Sequence, residues 1–273
     1  MEQLYTEPPR AKRPAITEPA VLDITPSGWN AVLEAAQGGP TALQAPYDTV
    51  FGPLLGVNGK PVVFGQLGQS LDGRIATETG HSKYINGKHG LLHLHCLRAV
   101  ADAVVVGVGT AIADDPQLTV RHIDGAHPAR VVIDPSGRLP AQARLLEDDG
   151  TRRIIVTARR DWTPEDPSVE LIHVPRTDGR IAPPAIVSAL ADLGFHRILI
   201  EGGAFTLSAF LKHRALQRLH LIVSPVIIGC GTAGLSLNPI AHLRDALRPG
   251  TRAYRIGEEV LFDCDLSEYA PSI

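Results

Sequence analysis

The sequence predicts an α/β protein in which helices flank a mostly parallel sheet and antiparallel strands follow at the C-terminal end. First, 273 residues with 44% hydrophobic side chains are enough to bury one large core. Second, short β-branched runs alternate with helical patterns from residue 61 to about residue 210, which is typical of β-α-β units. Third, the chain becomes strand-rich after Phe210.

Composition and charge exclude several classes of function. The chain has 26 lysines and arginines against 29 aspartates and glutamates, so no excess of positive charge is available to follow a nucleic-acid backbone. Three widely spaced cysteines provide neither a disulfide framework nor a paired-thiolate zinc site, which favours a reducing compartment. No uninterrupted apolar run reaches the roughly 18 residues of a membrane span, and the N-terminal segment lacks the apolar core region of a signal peptide. We therefore expect a cytoplasmic protein without nucleic-acid, membrane or metal partners.

Residues 1–60 are predicted to form a proline-rich arm that packs on the main domain or on a partner subunit. Eight prolines remove backbone donors and restrict φ, so most of this segment is expected to be extended or irregular. One short helix is expected, because Thr25 can cap it, Pro26 suits its first turn and Trp29 begins an apolar stripe at helical spacing. Residues 61–273 are predicted to form the main domain.

The elements of the main domain follow from local patterns in chain order. A strand begins at Val62, and a helix is expected where leucines recur every three to four residues. Unbroken β-branched runs then predict strands that are buried on both faces. The predicted elements are strand 62–64, helix 86–101, strands 103–106, 130–134 and 153–157, helix 184–193, strand 197–201, and antiparallel strands 218–225 and 254–263.

Polar or glycine-rich segments follow three of these strands, at the sheet edge where ligands of α/β proteins bind. Residues 68–74 contain the turn signal Asp72-Gly73. Residues 107–110 carry two glycines ahead of a helix N-terminus, which allows close approach of a ligand and favours phosphate. Residues 201–203 bring a carboxylate and two glycines to another helix start, which suits a ribose hydroxyl and a pyrophosphate. Each segment also has a purely structural interpretation, as a tight turn or a helix start.

Two further patterns suggest metal ligands but do not complete a site. Asp114 and Asp115 are adjacent, yet no histidine or further carboxylate is placed to complete a metal shell, so Asp114 is expected to accept hydrogen bonds at a helix end. Arg121 is expected to hold an anion. His89 and His93 lie one helical turn apart without the third ligand of a zinc protease, so a solvent-facing helix surface is expected there.

Taken together, the strand-end motifs resemble the reductase family of riboflavin biosynthesis, which has a dihydrofolate-reductase-like fold. The motifs that carry the resemblance are 70–74, 106–110, 113–116, 118–121, 132–134 and 201–203. It covers about residues 61–265 and is most specific over 107–121. The resemblance implies an NADPH-dependent reduction of 5-amino-6-(5-phosphoribosylamino)uracil to the ribitylamino compound, with hydride added at C1′ of the opened sugar. It also implies a homodimer.

The resemblance further implies which residues contact each ligand. The implied cofactor contacts are Gln69, Tyr84, Gly107, Gly109, Thr110, Asp114 and the turn of Gly202, Gly203, Ala204, Phe205 and Thr206, which extends to Ala209. The implied substrate contacts are Ser82, Arg98, Leu118, Arg121 and Glu201. Glu201 and Gln66 are the expected catalytic residues. Arginine and serine suit phosphate, and the donors at a helix start suit a dinucleotide.

The sequence departs from the family pattern at three positions. Gln66 stands where bacterial members carry lysine and archaeal and fungal members carry asparagine, which removes a cation that could polarise the sugar carbonyl. Pro135 stands at a frequent serine position, and Tyr84 at a frequent tryptophan position.

The zinc-deaminase motifs of bifunctional members are missing, which predicts a reductase that depends on another protein for deamination. Two alternatives stay open. One is a reductase of the undeaminated 2,5-diamino-6-ribosylaminopyrimidinone 5′-phosphate or of a related pterin-like compound. The other is a nucleotide-binding homologue without turnover.

Overall fold

The computed structural model of the protein describes residues 19–56, 60–177 and 179–270. Predictions that concern residues 1–18, including the first three prolines of the arm, lie outside the described residues. Within those ranges the chain forms one ten-stranded sheet, two two-stranded sheets and six α-helices. None of the described helices is long and apolar enough to cross a membrane.

The elements are numbered in chain order. The helices are α1 (Pro26–Ala36), α2 (Tyr47–Val50), α3 (Lys88–Val100), α4 (Val108–Asp114), α5 (Pro183–Asp192) and α6 (Ala204–Lys212), with 3-10 turns at Gly52–Leu54, Arg144–Leu146 and Leu243–Asp245. The strands are β1 (Ala20–Val21), β2 (Val62–Ser70), β3 (Arg74–Thr77), β4 (Ala103–Gly107), β5 (Ala129–Ile133), β6 (Arg153–Thr157), β7 (Glu170–His173), β8 (Arg176–Thr177), β9 (Arg180–Ile181), β10 (Arg197–Glu201), β11 (Arg218–Ser224), β12 (Gly231–Ala233), β13 (Gly250–Ile256) and β14 (Glu259–Asp265).

The large sheet has the strand order β1-β13-β14-β11-β2-β10-β4-β5-β6-β7. The seven strands from β11 to β7 are mutually parallel, so their carboxyl ends lie along one edge of the sheet. Strand β10 lies inside this parallel part, between β2 and β4. The α/β fold class predicted from the sequence is therefore confirmed.

The expected antiparallel C-terminal strands are confirmed, with two differences in detail. The segment expected at 218–225 is β11, which is antiparallel to β14 on one side but pairs in parallel with β2 on the other. The strand expected over 254–263 is instead a hairpin of β13 and β14, which turns at Gly257 with a φ of +64°. Local alternation cannot reveal a strand's partner, because side chains alternate between faces in parallel and antiparallel pairs alike.

The two faces of the sheet bury separate apolar clusters. On one face, Phe64 and Leu199 pack with α3 and with the N-terminal arm. On the other face, Ile198 and Ile200 pack with α5 and α6. Successive residues of a strand point to opposite faces, so a continuous apolar run such as that of β10 serves both clusters.

The described part of the N-terminal arm shares the first of these clusters. Strand β1 pairs in parallel with β13 at the edge of the sheet. Helix α1 forms as the sequence predicts, with Thr25 Oγ1 accepting a hydrogen bond from the backbone N–H of Gly28 at 3.2 Å. Trp29 is only 1% exposed, and its Nε1 donates to the carbonyl of Asp124 at 2.8 Å. A division of the chain at residue 60 stays a proposal, since arm and domain contribute to one core.

The expectation of a solvent-facing histidine pair is wrong for His93. This side chain is 1% exposed, and it shares the buried face of α3 with Leu97, four residues further along. His93 Nε2 lies 2.9 Å from Nδ1 of His220, and His220 Nε2 lies 3.4 Å from a carboxylate oxygen of Asp263. Burial, followed by the neighbouring His220, lowers the pKa of His93 well below its usual range. His93 is therefore a neutral core residue, whereas His89 is exposed.

The packing of the arm predicts that Trp29→Ala lowers the free energy of unfolding by about 3–5 kcal/mol, the usual loss for a buried aromatic side chain. Chemical denaturation measures the effect. Glu34→Ala on the exposed side of α1 is the matched control, with an expected change below about 0.5 kcal/mol. Equal stability of the Trp29 variant and the parent chain would show that the arm is not part of the core.

The neutral state of His93 predicts a pH-dependent stability. Because the unfolded chain binds a proton at this histidine below about pH 6.5 and the folded chain does not, the free energy of unfolding falls as pH decreases through that value. When the pH is lowered from about 7.5 to about 5, the free energy of unfolding should fall by about 2 kcal/mol less in His93→Gln than in the parent chain, as measured by urea denaturation. The exposed His213→Gln is the control and keeps the parent's pH dependence. If the free energy of unfolding depends on pH in the same way in all three proteins, the prediction is contradicted.

Candidate active site

The carboxyl edge of the sheet brings the three predicted motifs together around the end of β10. Glu201 is the last residue of this strand, and its Cα pairs with that of Gln66 on β2. On the other side, Ile200 pairs with Val105 of β4, two residues before Gly107. The motifs at 68–74, 107–110 and 201–203 are therefore neighbours in space, although up to about 130 residues separate them in sequence.

A buried ion pair lies at the centre of this edge. Arg98, on the last turn of α3, donates from Nε and Nη2 to the two carboxylate oxygens of Glu201, each at 2.7 Å. Both side chains are 7% exposed. Burial alone would lower the pKa of the Arg98 guanidinium, but the Glu201 carboxylate outweighs burial and raises this pKa above its usual value. Arg98 also donates to the carbonyl of Thr119 at 2.9 Å, so two of its five N–H groups remain for a ligand.

Gln66 lies beside this ion pair on the same face of the sheet. The register aligns Glu201, Gln66, His220 and Asp263 across β10, β2, β11 and β14, and all four are at most 8% exposed. Glu201 is bound by Arg98, and His220 contacts His93 and Asp263. No hydrogen bond among the described residues engages the side-chain amide of Gln66. Among these four side chains, Gln66 is thus the one whose donor and acceptor groups are available to a ligand.

The glycine-rich turns after β4 and β10 pack against each other. Thr110 Oγ1 accepts a hydrogen bond from the backbone N–H of Gly203 at 2.9 Å. A side chain at Gly107 would collide with Oγ1 of Thr206, and Gly202 has a φ of +117°. A Cβ at Gly109 would meet only open space. Gly107 is therefore required by the contact of the two turns and Gly202 by its backbone conformation, whereas the space at Gly109 is open.

The start of α6 has the donors that a pyrophosphate needs. No side chain caps this helix, and the backbone N–H groups of Ala204 and Phe205 have no partner among the described residues. Phe205 on its first turn is 65% exposed. The residues present therefore fit the diphosphate of a dinucleotide cofactor, which binds where glycine turns and helix starts provide backbone donors.

The loop that carries Arg121 is held by a neutral histidine. The backbone N–H of Arg121 donates to Nδ1 of His95 on α3 at 3.0 Å. Burial, followed by the cations of Arg98 and Arg121, lowers the pKa of His95 to about 3, so the ring accepts this bond without a charge of its own. In the same loop Leu118 is buried with a φ of +57°, a costly conformation for a leucine.

Arg121 provides positive charge that the described part of the chain leaves uncompensated. Its guanidinium donates to the amide oxygen of Gln117 at 2.7 Å, and no carboxylate among the described residues lies within salt-bridge distance. Burial, followed by the cations of Arg98 and Arg144, lowers the pKa of the Arg121 guanidinium. A cluster of arginines that repel one another is a favourable place for an anion.

The hydrogen-bonding role expected of Asp114 belongs to its neighbour. Asp115 follows the last residue of α4 with a φ of +39°, and its carboxylate accepts from the backbone N–H of Arg144 at 2.8 Å. Asp114 is exposed, and partial burial raises its pKa against the opposing effect of Lys83. The reason is positional, because the residue after a helix takes the left-handed conformation and turns its side chain towards the next loop.

The first motif mainly stabilises the loops at the end of β2. Asp72 accepts hydrogen bonds from Ser70 Oγ at 2.6 Å and from the backbone N–H groups of Ile228 and Gly229 at 3.1 and 2.6 Å. These bonds, that of Ser70 first, lower the pKa of Asp72 to about 2. The motif thereby joins β2 to the loop that follows β11.

Three expected contact residues are spread around the rim. Gln69 lies on the opposite face of β2 from Gln66, since the two are three positions apart. A Cβ at Gly234 would lie 2.7 Å from the side-chain oxygen of Gln69, which shows that this amide points towards the loop after β12. Ser82 and Tyr84 belong to the segment between β3 and α3, where Tyr84 is 90% exposed.

Glu259 was not found from the sequence, although it fixes the start of α3. Its carboxylate accepts from the backbone N–H groups of Gly87 and Gly90 at 3.0 and 2.8 Å, from Asn86 Nδ2 at 2.9 Å and from Ser224 Oγ at 2.7 Å. With Asn86 engaged in this way, α3 begins two residues later than expected. Glu259 is about 170 residues from α3 and had no recognisable local motif.

Comparisons with known proteins identify the family of the chain. Residues 61–248 match the family described as the RibD C-terminal domain. The 2,5-diamino-6-ribosylamino-4(3H)-pyrimidinone 5′-phosphate reductase of Methanothermobacter thermautotrophicus is 31% identical over 214 residues, which cover 75% of this chain and 97% of that protein. The riboflavin biosynthesis protein RibD of Aquifex aeolicus is 34% identical over 173 residues, which cover 63% of this chain and 48% of that protein.

A solved structure extends the similarity to three dimensions. The diaminohydroxyphosphoribosylaminopyrimidine deaminase/5-amino-6-(5-phosphoribosylamino)uracil reductase of Thermotoga maritima matches with a TM-score of 0.63 and 28% identity, over 76% of this chain and 56% of that chain. The chain thus spans about half the length of these RibD-type relatives. The shared fold is the one expected from the resemblance. Because the family match extends over most of the chain and includes every strand-end motif, the chain belongs to the RibD C-terminal domain family, the reductase family of riboflavin biosynthesis.

Proposed function

We propose that the chain is an NADPH-dependent reductase of a ribosylamino-pyrimidine 5′-phosphate in riboflavin biosynthesis. The observation that carries the proposal is the convergence at the end of β10, where the Arg98–Glu201 ion pair and the available amide of Gln66 adjoin a glycine turn suited to a dinucleotide. The names of the two curated relatives support it, since one is named as a pyrimidinone 5′-phosphate reductase and the other as the riboflavin biosynthesis protein RibD.

In this proposal the substrate binds on the α3 side of the sheet edge. Arg121 attracts the 5′-phosphate, and Ser82 and the backbone of Leu118 complete that contact. Glu201 accepts a hydrogen bond from a sugar hydroxyl, because its carboxylate is held in one orientation by Arg98. Arg98 acts on the substrate mainly through Glu201, and its two remaining N–H groups are free to assist the phosphate.

The cofactor binds at the turns after β4 and β10. Residues 202–209 and Thr110 hold the diphosphate with the donors of α6, and Gly107 and Gly109 permit its approach. Gln69, Tyr84 and Asp114 are the further cofactor contacts that the resemblance implies. When bound, NADPH supplies the hydride that reduces C1′ of the sugar.

The catalytic contribution of the chain is positioning, because the cofactor carries the difficult chemistry. The Gln66 amide donates a hydrogen bond to the reacting sugar from a rigid central strand. It carries no charge, so it orients the substrate more than it polarises it. Glu201 is the matching acceptor on the adjacent strand, at the same level of the sheet.

Two substrates compete within this proposal. The prediction from the sequence is the deaminated 5-amino-6-(5-phosphoribosylamino)uracil. The undeaminated 2,5-diamino compound is a second candidate, because the relative that the alignment covers almost completely is named as a reductase of that compound. We also propose a homodimer in the cytoplasm; cysteines 96, 230 and 264 are free, which suits a reducing compartment.

The proposed activity predicts that the purified chain oxidises NADPH when a ribosylamino-pyrimidine phosphate is added. The decrease in nicotinamide absorbance is followed with the deaminated and the undeaminated substrate in parallel. The substrate with the larger kcat/KM is the physiological class. Tight NADPH binding without oxidation by either substrate contradicts the reductase proposal and supports a nucleotide-binding protein without turnover.

The role of Arg121 predicts that Arg121→Ala raises the substrate KM by roughly 10- to 100-fold, which corresponds to the loss of charge-assisted hydrogen bonds to a phosphate. The Kd of NADPH, measured by fluorescence titration, should change little. Arg252→Ala, an exposed arginine on β13, is the control with the same change of charge and should leave both constants unaltered. A comparable loss of NADPH binding in the Arg121 variant would assign this arginine to the cofactor.

A further inference from the structure

The loop between α4 and β5, which carries Arg121, is held in shape by side chains. We call residues 115–128 the α4–β5 loop. Among the described residues, no backbone N–H or C=O group of residues 116–127 bonds to another backbone group. Leu118 and His122 have left-handed φ angles of +57° and +66°. Such conformations persist only where the surroundings impose them, so the shape of this loop depends on its contacts with side chains.

In the described part of the chain, four side chains bond to the backbone of the α4–β5 loop. Three of the bonds lie next to Arg121, and the fourth lies beyond it. The bonds next to Arg121 join Arg98 Nη1 to the Thr119 carbonyl at 2.9 Å, the Val120 N–H to His127 Nδ1 at 3.2 Å and the Arg121 N–H to His95 Nδ1 at 3.0 Å. The fourth bond is donated by Trp29 Nε1 to the carbonyl of Asp124 at 2.8 Å. Trp29 is the one of these four side chains that belongs to the N-terminal arm.

Trp29 contacts the loop from a well-packed helix. Its ring is 1% exposed and lies edge-on to that of Phe51, with 5.6 Å between the ring centroids. Leu33, four residues further along α1, approaches the same part of the loop at Gly125. A Cβ built at Gly125 would lie 2.5 Å from the Cβ of Ala99 on α3 and 3.8 Å from Cδ2 of Leu33. This part of the loop therefore lies between α1 and α3.

The arm is outside the part of the chain that matches the reductase family. That match extends over residues 61–248 and includes the whole α4–β5 loop, whereas α1 precedes it. The hydrogen bond between Trp29 and Asp124 thus connects a segment outside the match to a loop inside it. The arm therefore contributes to the shape of a loop that carries a proposed substrate contact.

The bond of Trp29 restrains Arg121 through the residue between them. The backbone N–H of Arg121 is fixed by His95. The carbonyl of Asp124, three residues further along, is fixed by Trp29. The strained His122 lies between these two points. If the second point is released, rotation about the His122 backbone brings its φ to an ordinary value, and this rotation moves the backbone that carries Arg121.

We infer that Trp29 is a positioning residue of the proposed substrate site, which fixes the α4–β5 loop from the arm so that Arg121 meets the 5′-phosphate in one place. The inference rests on the proposed function, because it takes the ligand of Arg121 to be the substrate's phosphate. Trp29 itself does not touch the substrate. The arm thereby serves binding of the substrate as well as stability of the fold.

Steady-state kinetics of Trp29→Phe test the inference. Phenylalanine keeps most of the apolar contact but cannot donate to Asp124, whose residue is exposed, so that water can bond to the released carbonyl. With whichever of the deaminated and undeaminated substrates the parent chain reduces, KM should rise roughly 3- to 10-fold, the effect of one lost hydrogen bond. The kcat and the Kd of NADPH should stay within about twofold of the parent values, because the phosphate is bound equally before and during the reaction.

The matched control is Tyr254→Phe, which removes another hydrogen bond of the arm. Tyr254 Oη lies 2.8 Å from Thr49 Oγ1, and its strand β13 is six strand spacings from β5, about 29 Å along the sheet. This variant should keep the parent's KM. If Trp29→Phe does not fold, Leu33→Ala replaces it, since it removes an apolar contact of α1 near Gly125 and should raise KM at least about twofold.

Two further measurements separate positioning from a general loss of stability. In the Arg121→Ala background, Trp29→Phe should raise KM no further, because the group that it positions is gone. In the chain without ligands, hydrogen–deuterium exchange of residues 118–124 should be at least about threefold faster in Trp29→Phe than in the parent and unchanged in Tyr254→Phe.

The other outcomes refute the inference. An unchanged KM in a folded Trp29→Phe variant, an equal rise in Tyr254→Phe, or a further rise in the Arg121→Ala background each contradict it and leave the reductase proposal intact. Unchanged hydrogen exchange in Trp29→Phe shows that the arm does not fix the loop. If the parent chain oxidises NADPH with neither substrate, the proposed function fails, and the inference fails with it.

Discussion

One guanidinium group organises the whole site. Arg98 joins the last turn of α3 to the end of the central strand β10 through Glu201, and to the loop before Arg121 through the carbonyl of Thr119. The ion pair is buried, so the loss of either partner would leave an uncompensated charge, at a cost of about 3–5 kcal/mol. The orientation of Glu201 and the position of the Arg121 loop therefore depend on the same interaction.

Helix α3 meets the sheet through polar contacts at three levels. Its start is bound by Glu259, its middle contacts His220 through His93, and its end pairs with Glu201. Between these levels the contact is apolar. Buried polar groups contribute less to stability than to a unique arrangement, because each needs its own partner. This explains how a helix can hold Arg98 and His95 in register with strand ends that are distant in sequence.

The candidate site residues lie on both faces of the sheet at its carboxyl edge. Gln66 and Glu201 lie on the face covered by α3, whereas α6 and its glycine turn pack on the other face. We propose that substrate and cofactor approach from these two sides and meet at the end of β10. The close contacts of Gly107 with Thr206 and of Gly203 with Thr110 keep the turns after β4 and β10 close together. The requirement for glycine here thus comes from the close packing of the two turns as well as from backbone conformation.

The sequence by itself determined the α/β fold class, the position of most parallel strands, helix α1 and the three motifs at strand ends. These depend on periodicity, capping and turn chemistry, which act over a few residues. It also indicated Gln66, Glu201 and the glycine turns, through their resemblance to a known family.

Only the tertiary structure decided the direction of β11, the hairpin of β13 and β14, and the burial of His93. It also revealed Glu259 beneath α3. The physical reason is that these features depend on partners up to about 170 residues away in the chain or on loops that meet at a sheet edge. Neither propensity nor spacing records such partners, because the strand order that brings them together is a property of the whole sheet.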